Sequence, residues 1–370
     1  MQLLDSTLFI TPEQFRQKRE LKISGPNGWL LFVACNDGIE LAKSVKRKYE
    51  SLLKNHGSAQ TRVPLTGTEN QPLTRIFSDS ETCPRLTQPV AGANAYIFQN
   101  IHHNCSPNSV NENIQQLLQA VRTLSAHRAK SITVVTPYIP YSRQEKPSYM
   151  SREAALASLF ADQLKAAGAH ICLTYHPHTL SLYGFYEPEM VLVSLSGLDL
   201  FASIFSHLDI NNAIAVSTDA GGAKFTLHFS DLLDIPYAIA NKFRPGKEKT
   251  NFLGIIGDVE GKKAAIVLDD ETVTGSSLIN TIKTIHQSYK VQEIYAAVSH
   301  NKIQKKYIPL LIEAWEKYGL KELHTTDSIP QTDEVKSLPF VKTHPLDNLF
   351  ASTINRLHYN QSVSELFLHS

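Results

Sequence analysis

The chain has 370 residues, 42% of them hydrophobic, enough for a substantial core and for two domains rather than one. Lysine plus arginine (36) nearly balances aspartate plus glutamate (35), so no global field draws the molecule to nucleic acid or an anionic membrane, and any anion site must be local. No run approaches the roughly 18 apolar residues of a membrane span, and residues 1–19 carry charges throughout instead of a signal peptide's apolar core.

Short apolar runs alternate with segments of helical period, the pattern of parallel strands joined by crossover helices. In chain order it predicts strands at 30–34, 95–98, 132–135, 171–174, 213–216, 237–240, 264–268 and 294–298. Helices are expected at 39–53, 111–125, 152–167, 277–289 and 306–318. The chain therefore reads as doubly wound α/β. A polar stretch at 56–74, rich in Thr, Gly, Pro and Gln, has neither period and reads as an exposed excursion. Both halves share the strand, turn and helix rhythm, which places a boundary at 187–194 and gives domains 1–190 and 191–344. A last apolar helix at 346–357 can fold back on either half, and 345–370 is assigned to the first. Cys35, Cys83, Cys105 and Cys172 are too far apart for a metal ribbon and read as reduced thiols of a cytoplasmic protein.

The strongest motif follows the buried-strand run Ala264-Ala265-Ile266-Val267-Leu268. It reads Asp269-Asp270-Glu271-Thr272-Val273-Thr274-Gly275-Ser276-Ser277 and leads at once into an amphipathic helix. A loop at the carboxyl end of a parallel strand lies where open α/β sheets bind ligands, and a Thr-Gly-Ser-Ser turn offers N–H groups and hydroxyls to a phosphate. The paired carboxylates would repel a bare phosphate, so they suit sugar hydroxyls or a magnesium ion. Helix capping accounts for Ser276 or Ser277 but not for two adjacent acids at a strand end.

These residues resemble the phosphoribosyl pyrophosphate loop shared by phosphoribosyltransferases and ribose-phosphate pyrophosphokinases. The resemblance implies that Asp269 and Asp270 hold ribose hydroxyls and that Thr272, Thr274, Gly275, Ser276 and Ser277 hold the 5-phosphate. Val273 stands where the kinases usually carry a third acid.

Further segments favour the pyrophosphokinases and carry the likeness from about Leu30 to Phe367. Phe77-Ser78-Asp79-Ser80-Glu81 resembles the family's Phe-Ser-Asp-Gly-Glu element, which reaches the adenine in a neighbouring subunit's site. That assigns Phe77, Asp79 and Glu81 to ATP and implies a homo-oligomer, of dimer or hexamer-of-dimers type. Pro137-Tyr138-Ile139-Pro140-Tyr141-Ser142-Arg143-Gln144-Glu145 is similar to the Pro-Tyr-x-x-Tyr-Ala-Arg-Gln-Asp run, so Arg143 and Gln144 are implied to bind ATP, with Arg152 adding a phosphate contact. Tyr175-His176-Pro177-His178 matches a strand-end segment in which His178 joins the Mg·ATP site, while His176 replaces the family's aspartate. A His-x-His pair on a strand can also bind a transition metal, and an isolated histidine is more often a structural one.

Ser217-Thr218-Asp219-Ala220-Gly221-Gly222 resembles Ser-Pro-Asp-Ala-Gly-Gly, in which the aspartate meets a cation and ribose 5-phosphate. Asn241-Lys242-Phe243-Arg244-Pro245 resembles the catalytic loop with its Lys-x-Arg-Pro core, making Lys242 and Arg244 the expected catalytic cations. The resemblance thus implies two tandem, mainly parallel-sheet domains of phosphoribosyltransferase type. It implies Mg²⁺ as cofactor, with His178 and Asp219 toward the metal, and ATP and ribose 5-phosphate as substrates. A non-catalytic relative that binds an active enzyme, raised by Val273 and His176, and a phosphoribosyltransferase remain alternatives at this point.

Overall fold

The computed structural model describes residues 10–148, 150–206, 212–243 and 251–366. It holds two mainly parallel sheets. The first is ordered β1 (Ser24–Gly25), β2 (Gly28–Ala34), β6 (Ala93–Phe98), β7 (Ser131–Val135), β8 (Ile171–Tyr175) and β9 (Val191–Leu195), with β3 (Leu65–Thr66) also paired to β2. Between β3 and β6 a separate two-stranded ribbon forms from β4 (Thr74–Ile76) and β5 (Thr82–Pro84). The second sheet contains β10 (Ala213–Ser217), β11 (Tyr237–Phe243), β12 (Asn251–Ile256), β13 (Ala264–Thr272), β14 (Glu293–Asn301), β15 (Leu320–Thr326) and β16 (Val341–His344). Their spatial order is β12-β11-β10-β13-β14-β15-β16. Only β12 there, like β1 in the first sheet, runs antiparallel to its neighbour.

The central strands read as continuous apolar runs because helices cover both faces. In β2, Leu31 and Val33 face a core shared with α3 (Val110–Ala126) and α4 (Leu156–Ala167), whereas Leu30, Phe32 and Ala34 face α2 (Ile39–Asn55). In the second sheet α8 (Ser276–Tyr289) and α9 (Ile308–Lys317) cover one face. On the other, Phe201 and Phe205 of the helix Leu198–Phe205 meet Phe229 of the helix Ala223–Leu233. The terminal helix Asp347–His358 leaves the second sheet after β16 and lies beside α2 on the first, where Phe350, Ala351 and Ile354 join the core of Phe32 and Tyr49. Ser44 donates to Asp347 Oδ2 at 2.9 Å and Asn355 donates to the Tyr49 hydroxyl at 3.1 Å across that seam.

Each of the eight expected strands is present, every one with one to four more residues. Three differences have physical causes. The expected division after residue 190 falls just ahead of β9, which pairs with β8, so the chain passes to the second sheet between Leu195 and Ala213. The 56–74 stretch is not simply exposed: Val63, Thr66, Leu73 and Thr74 are buried and β3 extends the first sheet. The helix expected from 152 begins at Leu156, since 151–155 are non-helical and no side chain caps the start. Among the described residues no helix is long and apolar enough to cross a membrane.

Candidate active site

The loops after β7 and β8 of the first sheet meet the ends of β13 and β14 of the second. Burial along β13 explains why the site forms here: Ala264–Leu268 is buried core, Asp269 and Asp270 emerge half-buried, and Glu271 and Thr272 are buried again, Glu271 against Arg143 of the opposing half. Pairing of β13 with β10 ends at Leu268 opposite Ser217, while pairing with β14 continues to Thr272 opposite Asn301, so the acids sit where one neighbouring strand has stopped, at the edge of a crevice between two bodies.

On the second-sheet side, the Thr218 hydroxyl donates to Asp269 Oδ2 at 2.8 Å, fixing one carboxylate at the end of β10. Asp219 is built into the turn: its Oδ1 accepts from the Gly221 and Gly222 N–H groups at 3.0 and 3.3 Å. A Cβ at Gly222 would stand 2.8 Å from Ser217 Oγ, so this turn admits only glycine there without displacing Ser217. The phosphate-type loop closes on Gly275, whose φ of 74° suits glycine and which caps α8. Gly275 supplies no side-chain cap, and Ser276 N–H donates to Thr274 Oγ1 at 3.3 Å. The remaining first-turn amides lie at the helix start with the Thr274, Ser276 and Ser277 side chains, a chemistry that suits an anion.

From the first-sheet side, His178 Nδ1 lies 2.6 Å from Asp270 Oδ2. Burial pushes the Asp270 carboxyl up, but the His178 hydrogen bond and charge overcome it and hold the group below the usual carboxylate range. The same hydrogen bond raises the His178 imidazole. Asp269 goes the other way, raised well above its ordinary value by burial and by the charge of Asp270. Two adjacent acids thus have opposite protonation tendencies, Asp270 lowered by its histidine and Asp269 raised by burial and by its neighbour's charge.

Arg143 Nη1 donates to Glu271 Oε1 at 2.8 Å, and Gln144 is exposed beside it, its backbone amide bonded to Tyr141. Arg152 is exposed on the segment before α4. Phe77, Asp79 and Glu81 lie at the exposed tip of the β4–β5 ribbon, where the Arg75 guanidinium sits 5.8 Å from the Phe77 ring. Ser80 occupies the glycine position of the family pattern at a φ of 73°. No bond joins this ribbon tip to the cleft among the described residues. Lys242 lies on β11, paired with Phe252 just past a register shift, and its side chain and the whole of Arg244 fall outside the described residues.

His176, at the family's aspartate position, is turned into the seam, its Nδ1 against the Ser299 hydroxyl and its ring tilted 4.3 Å from Phe225. Burial pushes it down to about 4, so it is a neutral structural imidazole at physiological pH. Four further residues complete the seam: Tyr138 and Glu271, which the sequence shows only as members of their motifs, and Lys302 and His300, which sequence reasoning passed over. Lys302 donates to Glu271 Oε2 at 2.6 Å and to the Tyr138 hydroxyl at 3.0 Å. His300 Nε2 donates to the His176 carbonyl at 2.9 Å. The only signal for His300 and Lys302 is polarity where an apolar strand ends, in Ser299-His300-Asn301-Lys302.

Among the described residues no three His, Cys, Asp or Glu side chains converge as a metal cage. The donors at the strand ends are carboxylates and one imidazole already bonded to Asp270. Such a set fits a magnesium ion, which takes one or two protein carboxylates and draws its other ligands from water and phosphate.

Residues 30–168 match the N-terminal domain of ribose phosphate pyrophosphokinase, and residues 240–368 match the phosphoribosyl synthetase-associated domain. A ribose-phosphate pyrophosphokinase of Caldanaerobacter subterraneus is 33% identical over 292 residues, 79% of this chain and 88% of the relative. That of Fusobacterium nucleatum is 33% identical over 334 residues, covering 90% and 96%. That of Bacillus subtilis is 32% identical over 295 residues, covering 79% and 87%. The crystal structure of phosphoribosylpyrophosphate synthetase from Mycobacterium smegmatis shares the fold with a TM-score of 0.74 at 24% identity, over 89% of this chain and 98% of that one. With this likeness spread across both sheets and the seam between them, the chain belongs to the ribose-phosphate pyrophosphokinase family.

Proposed function

We propose that this protein transfers the β,γ-diphosphate of ATP to the 1-hydroxyl of ribose 5-phosphate, giving 5-phosphoribosyl 1-diphosphate and AMP. The observation that carries this reading is the pair of crossings His178–Asp270 and Arg143–Glu271, which bring a nucleotide-type loop of one sheet to a sugar-phosphate-type loop of the other.

In this reading Asp269 and Asp270 accept from the ribose hydroxyls while Thr272, Thr274, Gly275, Ser276 and Ser277 seat the 5-phosphate at the start of α8. Arg143 and Gln144 grip ATP, with Arg152 toward its phosphates, and Phe77, Asp79 and Glu81 of a second copy meet the adenine. Asp219 and His178 stand toward Mg²⁺, which when bound with ATP neutralises charge on the phosphate oxygens. The 1-hydroxyl oxygen bonds to the β-phosphorus and loses its proton as the bond from that phosphorus to AMP breaks. Lys242 and Arg244 offset the charge that gathers on the β-phosphate oxygens, and positioning supplies the rest of the acceleration. The protein works as a cytoplasmic homo-oligomer, with a nucleotide-side domain that includes the terminal helix and a sugar-side domain.

The test is AMP release by the purified chain with Mg·ATP. Release that requires ribose 5-phosphate is expected. Absence of that dependence refutes the reading, and diphosphate release driven by a purine or pyrimidine would point to a phosphoribosyltransferase instead.

A further inference from the structure

Two charges at the seam, Glu271 and Lys302, have no part in the chemistry assigned above. Glu271 divides its two oxygens between Arg143 at 2.8 Å and Lys302 at 2.6 Å. Its side chain is 4% exposed and that of Lys302 6%, whereas Arg143 is 56% exposed. Lys302 in turn donates to the Tyr138 hydroxyl at 3.0 Å and stands 4.3 Å from the centre of its ring. Tyr138 and Arg143 belong to one loop, so the second sheet grips that loop at two points, one through Glu271 and one through Lys302.

A buried ion pair is a costly way to hold two bodies together, and apolar residues of the same volume would serve stability as well or better. What an apolar pair cannot do is orient a guanidinium. Arginine has rotatable bonds along its whole side chain, and a charge-assisted hydrogen bond to a fixed carboxylate restricts them before any ligand arrives. Glu271 alone would bring a negative charge beside the phosphate-binding arginine and weaken it. Lys302 cancels that charge and, through Tyr138, fixes the loop as well, so the ensemble of one anion and two cations remains attractive to phosphate.

We propose that Glu271 and Lys302 are positioning residues for nucleotide binding, holding the Arg143 guanidinium and its loop in the orientation that receives the phosphates of ATP. The assignment rests on the diphosphate-transfer reading of the site. The pair acts on the nucleotide through Arg143 and touches neither the sugar nor the reacting atoms.

The experiment replaces both charges at once, Glu271→Met with Lys302→Met, which removes the ion pair without stranding either partner in the interior. The expected result is a rise in KM for ATP of about tenfold, the scale of one charge-assisted contact, with KM for ribose 5-phosphate and the melting temperature unchanged. Arg143→Ala should then add little in that background, because its anchor is already gone. An unchanged KM for ATP, equal changes in both KM values, or a full additive Arg143→Ala penalty overturns the proposal. Tyr138→Phe removes only the hydroxyl that receives Lys302 and should raise KM for ATP about threefold. A wild-type value in that variant overturns the proposal even where the double variant fails to fold. Should the unaltered protein release no AMP with ribose 5-phosphate, the functional reading fails. Calorimetric binding of ATP to the same variants then still decides the positioning role by the same fold-change.

Discussion

The imidazole of His178 and the carboxylate of Asp270 stand 2.6 Å apart although they come from different sheets and lie 92 residues apart in the chain. The contact couples the two halves at the point where the proposed function brings both substrates. It also sets the protonation of the acid pair, since it keeps Asp270 charged while burial favours the proton on Asp269.

His178→Ala removes this coupling and leaves Asp270 beside Asp269 without its hydrogen-bonded partner from the first sheet. The expected outcome is a fall in kcat/KM for both substrates of about 10- to 100-fold, on the scale of a charge-assisted hydrogen bond near the reacting groups. Steady-state AMP release measures it, and a change confined to one substrate would show that the contact does not join the two half-sites.

Lys242 lies near the end of β11, the strand paired in parallel with β10, and begins the segment that resembles the catalytic loop. Lys242→Ala is expected to lower turnover by about 10²-fold or more while leaving ATP affinity nearly intact, because the lysine is assigned to charge that appears during transfer. Turnover and equilibrium ATP binding are measured side by side. Unchanged turnover would remove Lys242 from the catalytic group.

Gly275 combines a φ of 74° with tight quarters, since an added Cβ would lie 3.1 Å from Ile279 Cδ1. Gly275→Ala is expected to lower stability by about 1–2 kcal/mol from backbone strain alone, and to raise KM for ribose 5-phosphate as the loop amides shift. Urea unfolding together with sugar saturation curves tests both effects. A stable variant with normal sugar binding would mean that the loop reshapes without consequence.

Asp327 accepts the Leu346 N–H at 2.9 Å where the chain leaves the second sheet for the terminal helix. Burial pushes its carboxyl up to about 6, and the Leu346 bond opposes this only in part. The folded protein therefore holds this proton more tightly than the unfolded chain, and stability falls as pH rises from about 4 to about 6. Asp327→Asn keeps the acceptor and removes the buried charge. It should stabilise the fold at pH 7 by about 1–2 kcal/mol and have little effect near pH 4. Chemical denaturation at the two pH values decides, and an equal change at both would exclude ionisation as the cause.

Several of these features are legible in the amino-acid order alone. Runs 213–216 and 264–268 announce β10 and β13 because strands covered on both faces need apolar side chains at every position. β15 escapes the same reading, since Lys321 and Glu322 interrupt its apolar residues, and β9 hides beside Pro188. The two acids after Leu268 and the glycine of the following turn are equally plain, being local chemistry at a strand end.

The seam is different in kind. Glu271 reads as a third acid in a row and Lys302 as one more surface lysine, and nothing near either names a partner. Arg143 and Glu271 are 128 residues apart, Lys302 and Tyr138 164. Local order determines the strands, the turns and the chemical type of each strand end, because those depend on neighbours a few positions away. Which nitrogen meets which oxygen is decided only when the two sheets dock, because a hydrogen bond exists within about 3 Å and chain separation says nothing about that distance.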